Sequence, residues 1–582
     1  MNNELDDIRS IGINKADEMK KLKLISYFFI FLAQSLLCNA QAVQKLEIPK
    51  GRVETFQFNK SKIYPGTERT VTVYLPAQLD PSKPACVYVQ QDGIRPNSAS
   101  VMDSLIAING IPVMVGVFVN PGNVPPADSN TKHRPNRCFE YDALGDAYAR
   151  FILEEILPFV VEKYKLNLSD KGDDRGIGGA SSGGISAFNA AWERPDAFTR
   201  VYCNSGSFVG FRGGHEFPLL VRKTEAKPIR AYLTTGTNDM ENCAGNWFLV
   251  DQEMDKALKF SGYDYQFRIL EGKHVVGYKE YFAEAMTYLW KDWPEPVKTG
   301  LSAPRVQDII LKGETWKLVA DGFVDARGPA CNAKGEVFFV DEPANKIFKI
   351  STSGNVATFL SDGGHSSGLS FGAKGELYSV SSKTGKIKSY NSQGKETLYA
   401  EEIYGEYVLA KPDGGIYVSE AESGKVWMVK EGNKIMVDSG IKFPTGIAMS
   451  PDHWLLAVAE NQSHWVYSYT IAPDGKLNNK ERFFWLHVPD AEDNSKAESV
   501  CYDREGHLYV ATNYGIQVCA WDGPTQVILP LPNNQAATGV CIGGAEFDTL
   551  FVFCGDKIYK RKIKNHTVGT FTPWTQMSPG KL

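Results

Sequence analysis

The sequence predicts an α/β plus all-β chain: a sheet with helices on both faces, followed by a six-bladed β-propeller. Three observations carry this expectation. Residues 53–293 alternate strand-like and helix-like segments, the grammar of parallel strands joined by crossover helices. Residues 308–575 repeat short strands and turn signals roughly every 40 residues, the length of a propeller blade. Between them, residues 294–307 contain Pro294, Pro296, Gly300 and Pro304 and follow neither period, so they read as a linker. A chain of 582 residues also exceeds what one hydrophobic core can bury.

Taken in chain order, residues 1–42 read as an export signal. Lys20, Lys21 and Lys23 precede an apolar run from Leu24 to Leu37, about 14 residues and short for a bilayer. Ala40-Gln41-Ala42 then supplies the small residues of a cleavage site, and Met19 reads as the start behind an upstream extension. The mature chain is therefore expected to be periplasmic or extracellular, and Cys38 leaves a lipoprotein reading open. Strands are expected at 70–75, 85–90 and 111–119, the last a near-continuous apolar run of the kind buried on both faces. A helix is expected at 142–164 and a strand at 174–178. Helix 185–191, strands 200–203 and 229–235, helix 246–261, strand 265–270 and helix 278–290 follow.

Beyond the linker, six units begin at Gly328-Pro329-Ala330, Ser367-Gly368-Leu369, Tyr407-Val408-Leu409, Thr445-Gly446-Ile447, Ser499-Val500 and Thr538-Gly539-Val540. Their turns fall near residues 335, 375, 414, 452, 506 and 547. The one long step, 452 to 506, leaves room for an insertion at 489–496.

Composition narrows the function classes. A net charge of −5 without a basic block argues against nucleic acid, and no segment beyond the N-terminal one is apolar enough to span a membrane. Nine cysteines follow Cys38, scattered and without metal-ligand spacing, which reads as buried thiols; a Cys138–Cys243 bridge stays open.

The chemistry sits in Gly179-Ala180-Ser181-Ser182-Gly183, a G-x-S-x-G turn between a strand and a helix. Small residues permit the tight turn, and the helix N-terminus favours negative charge at the serine oxygen. Such a serine needs an acid and then a base later in the chain, each after its own strand. Asp239 follows strand 229–235, and His274 follows strand 265–270. Ser181 is then the nucleophile, His274 its base and Asp239 the residue that orients the imidazole. The oxyanion hole is expected from the N–H of Ser182 and from the loop at Asp92 and Gly93.

At this point a resemblance is clear. Gly66-Thr67-Glu68-Arg69-Thr70, the run Val87 to Gly93, Asn136 to Asp142, the serine elbow and Gly245-Asn246-Trp247 resemble the enterochelin-esterase-like esterases across residues 55–293. The resemblance implies an α/β-hydrolase fold, a carboxylic ester of a carbohydrate or related polyol as substrate, and Arg137, Glu140 and Trp247 as pocket residues. A structural ion pair between Arg137 and Glu140 is the alternative.

Residues 308–575 resemble the senescence-marker-protein/gluconolactonase propellers through Gly328-Pro329-Ala330, the repeat, Tyr509 to Thr512 and Gly515 to Val518. That resemblance implies a central divalent metal such as calcium, held by a glutamate, an asparagine and an aspartate. Here those positions are Arg327, Thr445 and Glu498, and a further family asparagine falls at Glu406 or Tyr407. A guanidinium cannot ligate a metal, so no metal is expected in the propeller and none in the esterase half. A metal-dependent lactonase, a prolyl-oligopeptidase-like peptidase and a non-enzymatic sugar-binding protein are the rival readings. The oligomeric state is not legible.

Overall fold

The computed structural model describes residues 48–532 and 535–567, together with Met19. The segment expected to direct export, Met19 apart, together with Cys38 and the final residues lies outside the described residues, and no described helix is long and apolar enough to cross a membrane.

The N-terminal region is an α/β unit around an eight-stranded sheet. Its strands lie in the order Arg52–Phe58, Arg69–Leu75, Met114–Val119, Cys86–Gln91, Arg175–Ala180, Arg200–Asn204, Arg230–Gly236 and Asp264–Leu270. The first two pairings are antiparallel and the rest parallel. Strands Cys86–Gln91, Met114–Val119, Arg200–Asn204 and Arg230–Gly236 are buried at every position, which explains their lack of polar alternation. The edge strand Arg52–Phe58 mixes exposed and half-buried positions, so its signal is weak in the sequence.

Period-two alternation divides the core between two faces. Val87, Val89, Val115, Val117 and Ile177 pack with helices Leu157–Tyr164, Ser182–Glu193 and Trp247–Phe260. Tyr88, Met114, Phe118, Tyr202 and Tyr232 pack with helices Ser98–Ala107 and Tyr278–Leu289.

The helix expected at 142–164 differs from its pattern. A short helix, Arg137–Tyr141, comes first, and Gly145, at φ 115°, stands in the break. Helical structure resumes at Ala147–Arg150, passes through a π-helical turn at Phe151–Ile156 and ends in Leu157–Tyr164. The linker segment also gains structure: Pro304–Ile309 is a helix whose Val306 and Ile309 pack with Leu529 and Ile563.

The C-terminal region is a β-propeller with five sheets where six blades were expected. Four sheets have four strands each, with inner strands Gly368–Phe371, Tyr407–Ala410, Pro444–Met449 and Val500–Tyr502. The fifth has six strands, because Lys317–Cys331 pairs first with Thr549–Lys562 and then with Val337–Asp341. The first and last repeat units thus share one sheet, which joins the two ends of the propeller.

Glycines let neighbouring inner strands approach. A Cβ at Gly328 would lie 2.4 Å from Ser367 O, at Gly368 2.7 Å from Glu406 O, and at Gly446 2.2 Å from Glu498 O. Gly539 meets Pro329 in the same way and completes the ring.

The two regions touch. Arg561 donates to both carboxylate oxygens of Glu225 (2.6 and 3.1 Å), and Arg212 to Asp490 in the predicted insertion (3.1 Å). A cavity of about 270 Å³ lies between them, lined by Trp192, Leu220, Lys227, His487 and Tyr514 among others. All nine described cysteines are free thiols. Cys138 and Cys243 are exposed and unbridged.

Candidate active site

Five neighbouring parallel strands end along one edge of the sheet, and each is followed there by a polar residue. Cys86–Gln91 leads to Asp92, Arg175–Ala180 to Ser181, Arg200–Asn204 to Ser205 and Ser207, Arg230–Gly236 to Asp239, and Asp264–Leu270 to His274. Carboxyl ends of parallel strands are where open α/β sheets place their crevices.

Ser181 has φ 58° and ψ −126°, a conformation a side chain rarely adopts. The surroundings hold it there. A Cβ at Gly179 would lie 2.4 Å from Gly183 O, and one at Gly184 2.9 Å from Cys203 Sγ, so the turn admits only small residues. Ser181 O accepts from the N–H groups of Gly184, Ile185 and Ser207.

His274 Nδ1 donates to Asp239 Oδ1 at 2.5 Å. Burial pushes the Asp239 carboxyl up. Hydrogen bonds from His274, Ser205 and Met240 N outweigh burial and hold it below the usual carboxylate range. Ser181 Oγ lies 3.3 Å from Ser207 Oγ and makes no hydrogen bond to His274 among the described residues. Ser207 Oγ also accepts from Trp247 Nε1 (3.1 Å), and the Trp247 ring meets the His274 ring edge-on at 5.8 Å. Trp247 therefore joins the serine side of the site to the histidine side.

The expected oxyanion donors divide. Gly93 N–H is taken by Val119 O (3.2 Å), which removes it as a donor. Asp92 N–H, at φ 62°, has only the Tyr141 hydroxyl at 3.3 Å, and Ser182 N–H lies at the helix start.

The expected pocket residues change roles. Arg137 and Glu140 do not pair with each other. Arg137 grips Asp92 with two hydrogen bonds (2.7 and 2.8 Å) and reaches Ala180 O (3.4 Å), next to Ser181. Burial alone would weaken its charge, but Asp92 holds the guanidinium more firmly protonated than usual. Glu140 forms a bidentate pair with Arg69 (2.7 and 2.9 Å), and both side chains are 0% exposed. It is a buried anchor, not a substrate contact. Trp247 is also 0% exposed, so it backs Ser207 and His274 from within the core.

Sequence reasoning missed Ser205, Ser207 and Asp251. The Ser205-Gly206-Ser207 loop after its strand was the available signal. Asp251 gave none: burial pushes its carboxyl well above the usual range, and the Asp239 charge adds to this.

The propeller axis gathers a second polar cluster, around Arg327. The positions to which the resemblance assigns metal ligands do not fit a divalent cation. Arg327 is a donor throughout, and the Thr445 hydroxyl donates to Ala497 O (2.7 Å). Among the described residues no group of three or more His, Cys, Asp or Glu is arranged to hold a metal ion.

Comparisons with known proteins fall on the same two regions. Residues 62–287 match the family described as "Putative esterase", and residues 326–555 match the SMP-30/Gluconolactonase/LRE-like region. A gluconolactonase of Zymomonas mobilis is 22% identical over 303 residues, 45% of this chain and 85% of that protein. A solved gluconolactonase of Xanthomonas campestris is 19% identical, covers 44% of this chain and 91% of its own, and superposes with a TM-score of 0.39. A ferulic acid esterase structure is 20% identical, covers 42% of this chain and 99% of its own, and gives 0.33.

Proposed function

For a chain that joins an esterase-family region to an SMP-30/gluconolactonase-like propeller, we propose an exported serine hydrolase of carboxylic esters with an α/β-hydrolase fold. Its substrate is an acylated carbohydrate or related polyol, as the resemblance of residues 55–293 implies. The observation that carries the reading is the edge of the sheet itself. Three separate strands deliver Ser181, Asp239 and His274 there, with Ser181 in the elbow conformation and His274 bound to Asp239.

The reaction then runs as acyl transfer. On substrate binding Ser181 Oγ leaves Ser207 and gives its proton to His274 Nε2 as it attacks the carbonyl carbon. Asp239 stabilises the imidazolium. The oxyanion accepts hydrogen bonds from the N–H groups of Ser182 and Asp92. His274 protonates the departing alcohol, and water then attacks acyl-Ser181 by the same route. Arg137 keeps the Asp92 loop against the elbow strand, so it is a positioning residue. The five-sheet propeller shapes or binds substrate without chemistry of its own.

The named activity of the Zymomonas relative favours one second reading, lactone hydrolysis at the propeller axis. The test uses p-nitrophenyl acetate and the Ser181→Ala variant. The expected loss is at least about 10³-fold. Equal rates in variant and wild type defeat the assignment. Chelator-sensitive lactone hydrolysis that survives Ser181→Ala favours the second reading, and turnover of peptide amides but not esters favours a peptidase.

A further inference from the structure

The axis of the propeller collects carboxyl groups from different repeat units around Arg327, and Lys383 and His365 also act on one of them, Glu342. Arg327 Nε lies 3.0 Å from Asp325 Oδ2, and Arg327 NH1 donates to Glu406 Oε1 at 2.8 Å and lies 3.8 Å from Glu342 Oε2. Glu498 lies in the same cluster. It accepts from Asn461 Nδ2 (2.9 Å) and from the Tyr407 hydroxyl (3.4 Å). The Arg327 side chain is 19% exposed and that of Glu406 12%, so water screens this pair little, while Asp325 and Glu342 are more open at 30% and 26%.

Carboxylates brought together out of water repel one another and need a counter-charge. The surroundings register that need. Burial alone would weaken the Arg327 charge, but Tyr407, Glu498, Asp325 and Glu406 outweigh it and hold the guanidinium above its usual range. Burial pushes Glu498 up to about 7, against the pull of Arg327, and Glu406 and Asp325 add to the rise.

Calcium takes oxygen ligands at about 2.3–2.6 Å, whereas a guanidinium reaches carboxylates through N–H groups at about 2.7–2.9 Å. Arg327 meets Glu406 at the second kind of distance, 2.8 Å, has Asp325 at 3.0 Å and Glu342 farther off at 3.8 Å, and stands where the resemblance puts a metal-binding glutamate. We propose that Arg327 is a tethered replacement for a divalent cation: its guanidinium neutralises carboxylates of separate repeat units and closes the propeller axis without metal. The replacement is local to the axis and independent of the chemistry at Ser181.

The cluster is thus a cation site filled from within, and removing the filling exposes it. The test uses the full chain, with thermal unfolding and calorimetric titration, and calcium chloride alone as the probe. Wild type is expected to melt within about 1 °C with calcium or with EDTA, and to bind calcium weakly or not at all. Arg327→Gln is expected to melt several degrees lower in EDTA, to recover on adding calcium, and to bind calcium at least about tenfold more tightly than wild type. Arg327→Lys keeps a charge and is expected to remain calcium-silent.

Wild type that loses stability in EDTA overturns the proposal. So does an Arg327→Gln protein that neither loses stability nor responds to calcium. If Arg327→Gln fails to fold, the double variant Arg327→Gln/Glu406→Gln decides. Removing a carboxylate with its counter-charge should restore folding, and a double variant as unstable as the single one overturns the proposal.

Discussion

The edge of the sheet and the axis of the propeller draw on similar residue types and use them in opposite ways. At the sheet edge, Asp239 holds the imidazole by one nitrogen and the other has no hydrogen bond among the described residues, while Ser181 Oγ meets the Ser207 hydroxyl. At the axis, Arg327 is bound to Asp325 and Glu406, and Glu498 to Asn461 and Tyr407. On the proposed reading, the first cluster keeps reactive atoms free and the second commits its charge to holding blades together. Residue type alone does not make a catalytic site. What matters is whether the geometry leaves a nucleophile and a base unsaturated.

The comparison breaks most sharply at His274. His274→Ala is expected to lower kcat/KM for a p-nitrophenyl ester by about 10³–10⁴-fold, whereas Arg327→Gln should stay within about twofold where folded. Comparable losses from both would merge the two sites into one functional unit.

Next in size is the buried pair behind the serine edge. Glu140→Ala leaves the Arg69 charge unpaired in the core, where both side chains are 0% exposed. The expected cost is about 3–5 kcal/mol, read as a lower denaturation midpoint. A midpoint unchanged from wild type would return Glu140 to the pocket.

A pH series sharpens the axis. Glu498 binds its proton more tightly folded, at about 7, than at its ordinary 4.5. Its stabilising contribution is therefore complete below about 4.5 and is lost as pH rises through about 7. The propeller should lose on the order of 1–3 kcal/mol over that window, and Glu498→Gln should flatten the melting profile between pH 5 and 8. A profile that Glu498→Gln leaves unchanged would contradict this account of the axis.

The smallest effect is at Trp247. Trp247→Phe removes the bond to Ser207 while keeping a ring beside His274. A kcat lower by roughly three- to tenfold, with KM little changed, is expected for a positioning residue. A change in KM alone would make Trp247 a substrate contact.

Much of this arrangement is legible in the sequence because it is local. The serine elbow announces itself through five adjacent small residues, and the proposed acid and base through their places after strands. The break at Gly145 is less legible, since the apolar spacing continues across it. Partners far apart in the chain leave no local trace. Arg69 and Glu140 are 71 residues apart, and Arg327 and Glu406 are 79 apart. The replaced glutamate at Arg327 was visible in the sequence, but the carboxylates that receive its charge were not. The shared sheet of the first and last repeats was hidden for the same reason, since one strand serves both.

The most direct test of the central claim is covalent labelling of the full chain with a fluorophosphonate, read by peptide mass spectrometry alongside residual ester hydrolysis. The account predicts one adduct, on Ser181, formed in step with complete loss of activity and unaffected by EDTA. Full ester hydrolysis after stoichiometric labelling of Ser181, or an adduct on another residue that tracks the loss, would contradict it.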